Sequence, residues 1–218
     1  MRHWTLDSSF GFHSLAFPHC TTPLLQCLLP AWRMNRAVFL DRDGTLIEER
    51  DFLRRPEQVA IFPGVPAALK RLMDAGYLLF IVSNQSGVGR GYFTLAEVEA
   101  VNAHLLRQLG QAGVRFEKVY FAPESPEMPS RGRKPSPQFL LDARDEFALD
   151  LAASYMVGDK LSDLECGWKA GLKKSLLVRT GYGAETERAS ADKTKLAWVV
   201  DDLEAAVEWI LAQEPFNA

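Results

Sequence analysis

The chain has 218 residues, of which 47% are hydrophobic and 24% charged, a balance typical of globular proteins. This composition excludes a collagen-like, coiled-coil or wholly disordered chain, and the length suffices to bury a sizeable core. The formal net charge of −3 excludes a globally basic surface, so we expect neither nucleic acid nor an anionic membrane as a partner.

The cysteines and the hydropathy pattern indicate the cellular setting. Cys20, Cys27 and Cys166 are an odd number of thiols in no metal-ligand spacing, which is typical of proteins from a reducing compartment. No stretch approaches the run of roughly 18 apolar residues that spans a bilayer. We therefore expect a cytoplasmic protein.

Residues 1–33 differ from the rest of the chain. They contain several leucines and phenylalanines, but prolines and histidines interrupt these, so neither a signal peptide nor a regular element is predicted. Met34 stands directly before a clear strand pattern. We expect residues 1–33 to be an extension that is disordered or not native, and residues 34–218 to form one domain.

After Met34 the pattern predicts short buried strands that alternate with amphipathic helices. Strands are predicted at 37–40, 77–82, 118–121, 154–157, 175–178 and 197–200. Helices are predicted at 65–75, 94–109, 138–147, 161–170 and 203–211. The proline-rich segment 123–137 and the segment 181–194 are expected to be loops. This alternation indicates an α/β fold with a Rossmann-like, doubly wound parallel sheet.

Polar residues follow the first four predicted strands. Asp41 and Asp43 come after the first strand, Ser83 after the second, Lys134 in the loop after the third, and Asp159 after the fourth. An aspartate after a strand is often only a helix cap, so one such residue means little. Because the carboxyl ends of parallel strands share one edge of the sheet, the four positions together predict a single site.

The residue types at this edge are those that phosphoryl transfer requires. Asp41 is the expected nucleophile, forming an aspartyl-phosphate, and Asp43 the expected general acid for the leaving alkoxide and then base for water. Ser83 and Lys134 would hold the phosphoryl oxygens. Because carboxylates repel a phosphate dianion, we expect one Mg²⁺ bridging Asp41, Asp159 and a phosphate oxygen.

These motifs resemble those of the haloacid dehalogenase superfamily of phosphohydrolases. The stretches that carry the resemblance are 39–46 (FLDRDGTL), 83–91 (SNQSGVGRG), 133–135 (RKP) and 153–160 (ASYMVGDK). Within the superfamily they are most similar to the heptose-bisphosphate phosphatase and histidinol-phosphatase branch. The resemblance implies that Asp43 also binds the metal through its carbonyl. It also implies that these residues bind the substrate: Glu49, Arg50, Asp51, Phe52, Asn84, Gln85, Ser86, Arg133 and Lys160.

One departure from that branch concerns zinc. The branch typically carries a zinc-binding loop, with a Cys-x-His pair after the third strand and a Cys-x-Cys pair before the Arg-Lys-Pro. The corresponding residues here are Ala122, Glu124, Ser130 and Gly132. Without thiolates these residues do not suit a tetrahedral zinc site, so we expect no zinc. Prolines in the same segment are expected to stiffen the loop instead.

The segments between the motifs are too short for a separate cap domain, which usually needs about 50 residues or more. The expected function is Mg²⁺-dependent phosphomonoester hydrolysis of a small phosphorylated metabolite by a monomer. The resemblance implies D-glycero-D-manno-heptose 1,7-bisphosphate, losing its 7-phosphate, as the leading substrate; histidinol phosphate and a polynucleotide 3′-phosphate are alternatives. A phosphate-binding module without turnover is the non-enzymatic alternative, which the intact pair of aspartates disfavours.

Overall fold

A computed structural model of the chain describes residues 34–213, and the expectation about residues 1–33 lies outside them. Six strands form one sheet in which every neighbouring pair is parallel. They are β1 (Arg36–Leu40), β2 (Tyr77–Asn84), β3 (Lys118–Ala122), β4 (Tyr155–Gly158), β5 (Lys174–Val178) and β6 (Trp198–Val200). Their order, β3-β2-β1-β4-β5-β6, confirms the predicted doubly wound sheet. The order in which the chain adds strands to the sheet reverses between β1 and β4, and folds of this kind bind their ligands at such a switch point.

Within the described residues, eight helices accompany the sheet. They are α1 (Val65–Asp74), α2 (Ser86–Gly89), α3 (Leu95–Gln111), α4 (Gln138–Phe147), α5 (Leu161–Ala170), α6 (Gly183–Ala189), α7 (Ala191–Thr194) and α8 (Leu203–Ala212). Two 3-10 turns lie at Pro56–Gln58 and Leu151–Ala153. The five predicted helices are confirmed to within two residues at either end. A capping box begins α3, with Thr94 and Glu97 bonded to each other.

The prediction of a loop at 181–194 was wrong, because α6 and α7 occupy most of it. Both helices are short and largely polar, so they show no apolar stripe from which a helix could be recognised. A contact from elsewhere in the fold helps to hold α6: the Thr186 hydroxyl donates to the Asp159 carbonyl at 2.9 Å. Tertiary packing therefore decides the conformation of this segment.

Both faces of the sheet are buried. Val38 and Leu40 of β1 pack in a core with α1, α3 and α8, whereas Ala37 and Phe39 pack in a second core with α4 and α5. Successive strand residues point to opposite faces, so a sheet covered on both sides favours apolar residues along the whole strand. This explains why the strands are mostly apolar in the sequence, although β5 contains the buried Ser175.

Strand register brings the ends of β1, β2 and β4 together. Leu40 of β1 is paired with Ile81 on one side and with Val157 on the other. The residues that follow, among them Asp41 and Asp159, therefore leave the sheet at the same edge. Loops border this edge, and no cap domain interrupts the described part of the chain. None of its helices is long and apolar enough to cross a membrane.

Candidate active site

Asp41 is placed by the end of β1 and by the turn that follows it. Its backbone N–H donates to the Val157 carbonyl of β4 at 2.9 Å, which fixes it between the two central strands. Gly44 permits the turn, since its φ is +83° and a Cβ there would lie 2.3 Å from Asp159 Oδ2. The turn therefore brings the chain after Asp41 against Asp159, which belongs to the loop after β4.

Lys134 supplies a buried positive charge beside Asp41. Its Nζ donates to Asp41 Oδ1 at 2.5 Å and to the Val82 carbonyl at 2.6 Å, and it lies 2.7 Å from Asp163 Oδ1. Burial alone would lower the pKa of Lys134, but the charges of Asp163 and Asp41 outweigh it and raise the pKa. The ammonium group is therefore held charged, with two carboxylates around it.

Asn84, at the end of β2, fixes the backbone of Lys134. Its Oδ1 accepts from the Lys134 N–H at 2.9 Å, and its Nδ2 donates to the Lys134 carbonyl at 3.0 Å. The two residues lie 50 positions apart in the chain. The predicted substrate residue Asn84 thus uses its side-chain amide to place the catalytic candidate Lys134.

Gln85 links Ser83 to Asp43. Its Nε2 donates to Ser83 Oγ at 2.7 Å and to Asp43 Oδ2 at 3.0 Å. Because the Ser83 oxygen accepts this hydrogen bond, its own hydroxyl proton is available for another acceptor. Ser83 and Gln85 are both buried, so the serine hydroxyl is presented from a fixed position.

Asp159 is a buried carboxylate with one oxygen that makes no hydrogen bond. Its Oδ2 accepts from the Tyr182 N–H at 2.9 Å, whereas its Oδ1 has no hydrogen-bond partner. Burial, together with the charge of Asp41, raises the pKa of Asp159 to about 8. Oxygens of Asp41, Asp159 and Asp163 lie within 4.8 Å of one another. An unpartnered buried oxygen in an all-carboxylate group fits the ligand set of a hard divalent cation.

Most of the predicted site residues line one cavity of about 310 Å³ at this edge. These are Asp41, Asp43, Glu49, Arg50, Asp51, Phe52, Ser83, Asn84, Gln85, Ser86, Lys134 and Lys160. Asp159 is fully buried and is not among the lining residues. Arg133 is not among them either: it is half-buried, and its Nη1 donates to the Glu124 carbonyl at 3.0 Å. Burial and the nearby Arg90 lower the pKa of Arg133.

The outer wall of the cavity is formed by partly exposed side chains. Lys160 Nζ donates to Glu49 Oε2 at 2.9 Å and lies 4.6 Å above the Tyr182 ring. Phe52, which has a positive φ of 53°, packs edge-on against Tyr92, with 4.5 Å between the two ring centroids. Burial raises the pKa of Glu49, so the carboxylate depends on Lys160 for compensation.

Comparisons with known proteins identify the family of the chain. Residues 132–206 match the family model described as HAD-hydrolase-like. The D-glycero-D-manno-heptose-1,7-bisphosphate 7-phosphatase of Thermosynechococcus vestitus is 38% identical over 188 residues, covering 80% of this chain and 94% of that protein. The corresponding Escherichia coli K12 enzyme is 36% identical, covering 77% and 89%.

The chain belongs to the haloacid dehalogenase-like phosphatases. It is similar to the crystal structure of the D,D-heptose 1,7-bisphosphate phosphatase from B. bronchiseptica, complexed with magnesium and phosphate. That match has a TM-score of 0.76 and 32% identity, and it covers 82% of this chain and 99% of the other. The predicted superfamily, fold and phosphatase chemistry are therefore confirmed.

The loop after β3 contains Glu124, Ser130 and Gly132, three of the residues on which the prediction of no zinc rests. Ser130 Oγ donates to Glu124 Oε2 at 2.7 Å and accepts from the Arg133 N–H at 3.1 Å. A Cβ on Gly132 would lie 2.3 Å from the Phe139 ring, which occupies the place of a side chain there. With Ala122, these residues do not form a tetrahedral zinc donor set. The absence of zinc stays a prediction, and a hydrogen-bonded turn holds the loop.

The structure adds lining residues that sequence reasoning did not assign to the site, namely Arg42, Leu53, Gly87, Phe93, Ser162, Asp163 and Tyr182. Among these, Asp163 is buried against Lys134, with its Oδ1 2.7 Å from the lysine Nζ. Arg42 stands between Asp41 and Asp43 in the sequence, a position from which its place in the cavity wall could have been predicted. Tyr182 lies in the segment that was predicted to be a loop, and nothing in its sequence context indicates the cavity.

Proposed function

We propose that this phosphatase removes the 7-phosphate of D-glycero-D-manno-heptose 1,7-bisphosphate through a phosphorylated Asp41. The observation that carries the proposal is the Asp41 carboxylate, buried, bound to Lys134 at 2.5 Å and facing a cavity of about 310 Å³. That volume suits a small metabolite. The names of the relatives, which align over nearly their whole length, support this substrate.

Asp41 attacks the phosphorus through a carboxylate oxygen. Lys134 binds its Oδ1, so Oδ2 is the oxygen left to form the new bond to phosphorus. As that bond forms, the bond between phosphorus and the sugar oxygen breaks, and Asp43 gives its proton to the departing alkoxide. The Ser83 hydroxyl donates a hydrogen bond to a phosphoryl oxygen, and the charge of Lys134 balances the negative charge that accumulates on the phosphoryl group.

The second half of the reaction restores the enzyme. Asp43, now a carboxylate, takes a proton from the water that attacks the phosphorus of the aspartyl-phosphate. The acyl-phosphate bond breaks, inorganic phosphate forms, and Asp41 is again a carboxylate beside Lys134. The same side chain therefore serves as acid and then as base, which requires a fixed position on the cavity wall.

We propose that Asp41, Asp159 and the carbonyl of Asp43 hold one Mg²⁺. When bound, the cation neutralises the clustered carboxylates and draws negative charge from a phosphoryl oxygen. The orphaned Asp159 oxygen and the raised pKa of that residue support this assignment, since both indicate a carboxylate that lacks its positive partner. Asp163, paired with Lys134, would act by keeping that lysine in place.

We also propose that the enzyme acts as a cytoplasmic monomer, without nucleic acid or a membrane, and that the domain 34–218 carries the activity. The net charge of −3 and the open cavity support a small free substrate rather than a polyanion that needs a basic track. Gel filtration with light scattering tests the monomer. Binding to a labelled oligonucleotide or to anionic vesicles would contradict the proposed absence of those partners.

A substrate panel with added Mg²⁺ tests the proposal. Initial rates would be measured on the heptose 1,7-bisphosphate, on histidinol phosphate and on a 3′-phosphorylated oligonucleotide. We expect the highest kcat/KM for the heptose bisphosphate, with the 1-phosphate retained in the product. A higher value for histidinol phosphate would overturn the substrate, and phosphate binding without turnover on any of the three would overturn the enzymatic reading of this site.

A further inference from the structure

Arg42 is a charged side chain that is almost completely buried, with an exposed fraction of 1%. Its guanidinium makes a fork to Asp43: Nε donates to Oδ2 at 3.0 Å, and Nη2 donates to Oδ1 at 3.1 Å. The remaining nitrogen, Nη1, donates to Asn102 Oδ1 at 2.7 Å. All three nitrogens of the group are thus engaged by two residues.

Asn102 belongs to α3 and lies 60 residues from Arg42 in the chain. It is itself buried, and its neighbours Val98, Val101 and Leu105 on the same helix are packed in the interior. The amide oxygen of Asn102 is therefore held by a well-packed helix. Through this single hydrogen bond α3 fixes the far side of the Arg42 guanidinium.

Buried ion pairs are poor sources of stability, because removing two charges from water costs about as much as their attraction returns. The arrangement around Arg42 gives Asp43 a defined orientation instead. Together with Gln85, which donates to Oδ2 at 3.0 Å, the fork occupies three acceptor positions of the Asp43 carboxylate. A carboxylate has about four such positions, so one remains, on Oδ1.

We propose that Arg42 and Asn102 are positioning residues, which hold the Asp43 carboxylate so that its proton is carried on Oδ1 and delivered to the leaving oxygen. This inference rests on the proposed function, in which Asp43 is the general acid. Proton transfer needs heavy atoms within about 2.6–3.2 Å of each other. An error of about 1 Å in a reacting group can reduce the rate on the order of 100-fold.

The leaving group of the substrate distinguishes a positioning role of Arg42 and Asn102 from a purely structural one. An alkyl phosphate, such as a sugar phosphate, releases a basic alkoxide that needs a proton. In contrast, 4-nitrophenyl phosphate releases a stable phenolate that departs without one. The ratio of the two kcat/KM values reports on the step that breaks the phosphorus–oxygen bond, and it does not depend on how much folded enzyme is present.

Asn102→Leu removes the acceptor for Arg42 while keeping the branched shape and the number of side-chain heavy atoms, and Asn102→Asp retains an oxygen at the same atom. We expect Asn102→Leu to lower kcat/KM for the sugar phosphate by about 10- to 100-fold and to change the value for 4-nitrophenyl phosphate by less than about threefold. Asn102→Asp should restore most of the activity on the sugar phosphate. Equal losses on both substrates, or no loss on either, would overturn the inference.

Two further variants keep the test decisive. Arg42→Lys keeps a positive charge but lacks the fork, so it should show the same dependence on leaving group if Asn102→Leu does not fold. Asp43→Asn must show that dependence most strongly, because it removes the acid itself. If Asp43→Asn affects both substrates equally, the proposed acid is wrong. If Asp43→Asn shows the dependence and the Arg42 and Asn102 variants do not, the positioning role alone is wrong.

Discussion

The cavity has two regions that are built differently. Its floor consists of Asp41, Lys134 and Asp163, whose side chains are 6%, 2% and 1% exposed, with the buried Asp159 within 4.8 Å of the two aspartates. Its rim consists of Glu49, Arg50, Phe52, Lys160 and Tyr182; the side chains of Arg50 and Lys160 are 44% and 41% exposed. Floor residues bind one another or the backbone from several directions, whereas rim side chains are partly exposed to solvent. We expect the chemistry to depend on the buried region and the choice of substrate on the partly exposed one.

The largest effect should follow removal of the nucleophile on the floor. Asp41→Asn replaces a carboxylate by an amide that does not attack phosphorus, so we expect kcat to fall on the order of 10⁴-fold or more. Asp192→Asn, a change to a carboxylate on the surface, is the matched control and should leave kcat unchanged. Activity of Asp41→Asn near that of the native protein would exclude the covalent route.

The second test removes the positive charge from the floor. Lys134→Met leaves Asp41 and Asp163 buried without their shared partner, so the free energy of unfolding of the metal-free protein should fall by about 3 kcal/mol. Urea denaturation measures this, with the exposed Lys195→Met as control. A loss as small as that of the control would mean that water reaches Asp41 and Asp163 more readily than their burial indicates.

The third test uses pH. Asp159 has a pKa raised from 3.8 to about 8 in the folded protein, which therefore binds this proton more tightly than the unfolded chain does. Between these two values the metal-free protein should lose stability as the pH rises, by up to about 1.4 kcal/mol per pH unit. Urea denaturation at several pH values measures the slope. Asp159→Asn should flatten it, and an unchanged slope in that variant would assign the effect to another group.

The fourth test addresses the rim. Lys160→Met removes a partly exposed cation that pairs with Glu49, and we expect KM for the sugar bisphosphate to rise about fivefold while kcat changes little. The exposed Lys193→Met serves as control. A fall of kcat comparable to that of Asp41→Asn would place Lys160 with the floor and would remove the distinction between the two regions.

The smallest effect is expected in the loop after β3. Gly132→Cys introduces a Cβ into the space of the Phe139 ring, so the free energy of unfolding should fall by about 1 kcal/mol. Gly132→Ala should show the same loss, because the cause is steric. Metal analysis of the native protein and of Gly132→Cys should find no stoichiometric zinc in either, and one zinc per chain in the native protein would refute the interpretation of this loop.

Much of the fold and of the catalytic floor could be predicted from local patterns. Apolar runs that stop at a polar residue indicate buried parallel strands, and the residues at those stops meet because strand ends of a parallel sheet share an edge. Asp41, Ser83 and Asp159 follow directly from this rule. Lys134 follows less directly, since it lies within a proline-rich loop after β3 rather than at the end of a strand.

Other features depend on contacts between distant parts of the chain. No local sequence pattern indicates three of the contacts described above. These are the hydrogen bond from Arg42 to Asn102, the hydrogen bond from the Lys134 N–H to Asn84 and the packing of Phe139 over Gly132. The position of Arg133 beside the cavity, bonded to the Glu124 carbonyl, also could not be predicted from its place next to Lys134.

The sequence by itself determined the alternating elements, the parallel sheet and the identity of the groups that carry the chemistry, because these depend on periodicity and on residue type. Only the tertiary structure decided which of those groups are buried, which oxygen of Asp43 is left open and which residues hold them in place. Hydrogen bonds depend on distances of a few tenths of an ångström between side chains, and those distances are set by the packing of the whole domain.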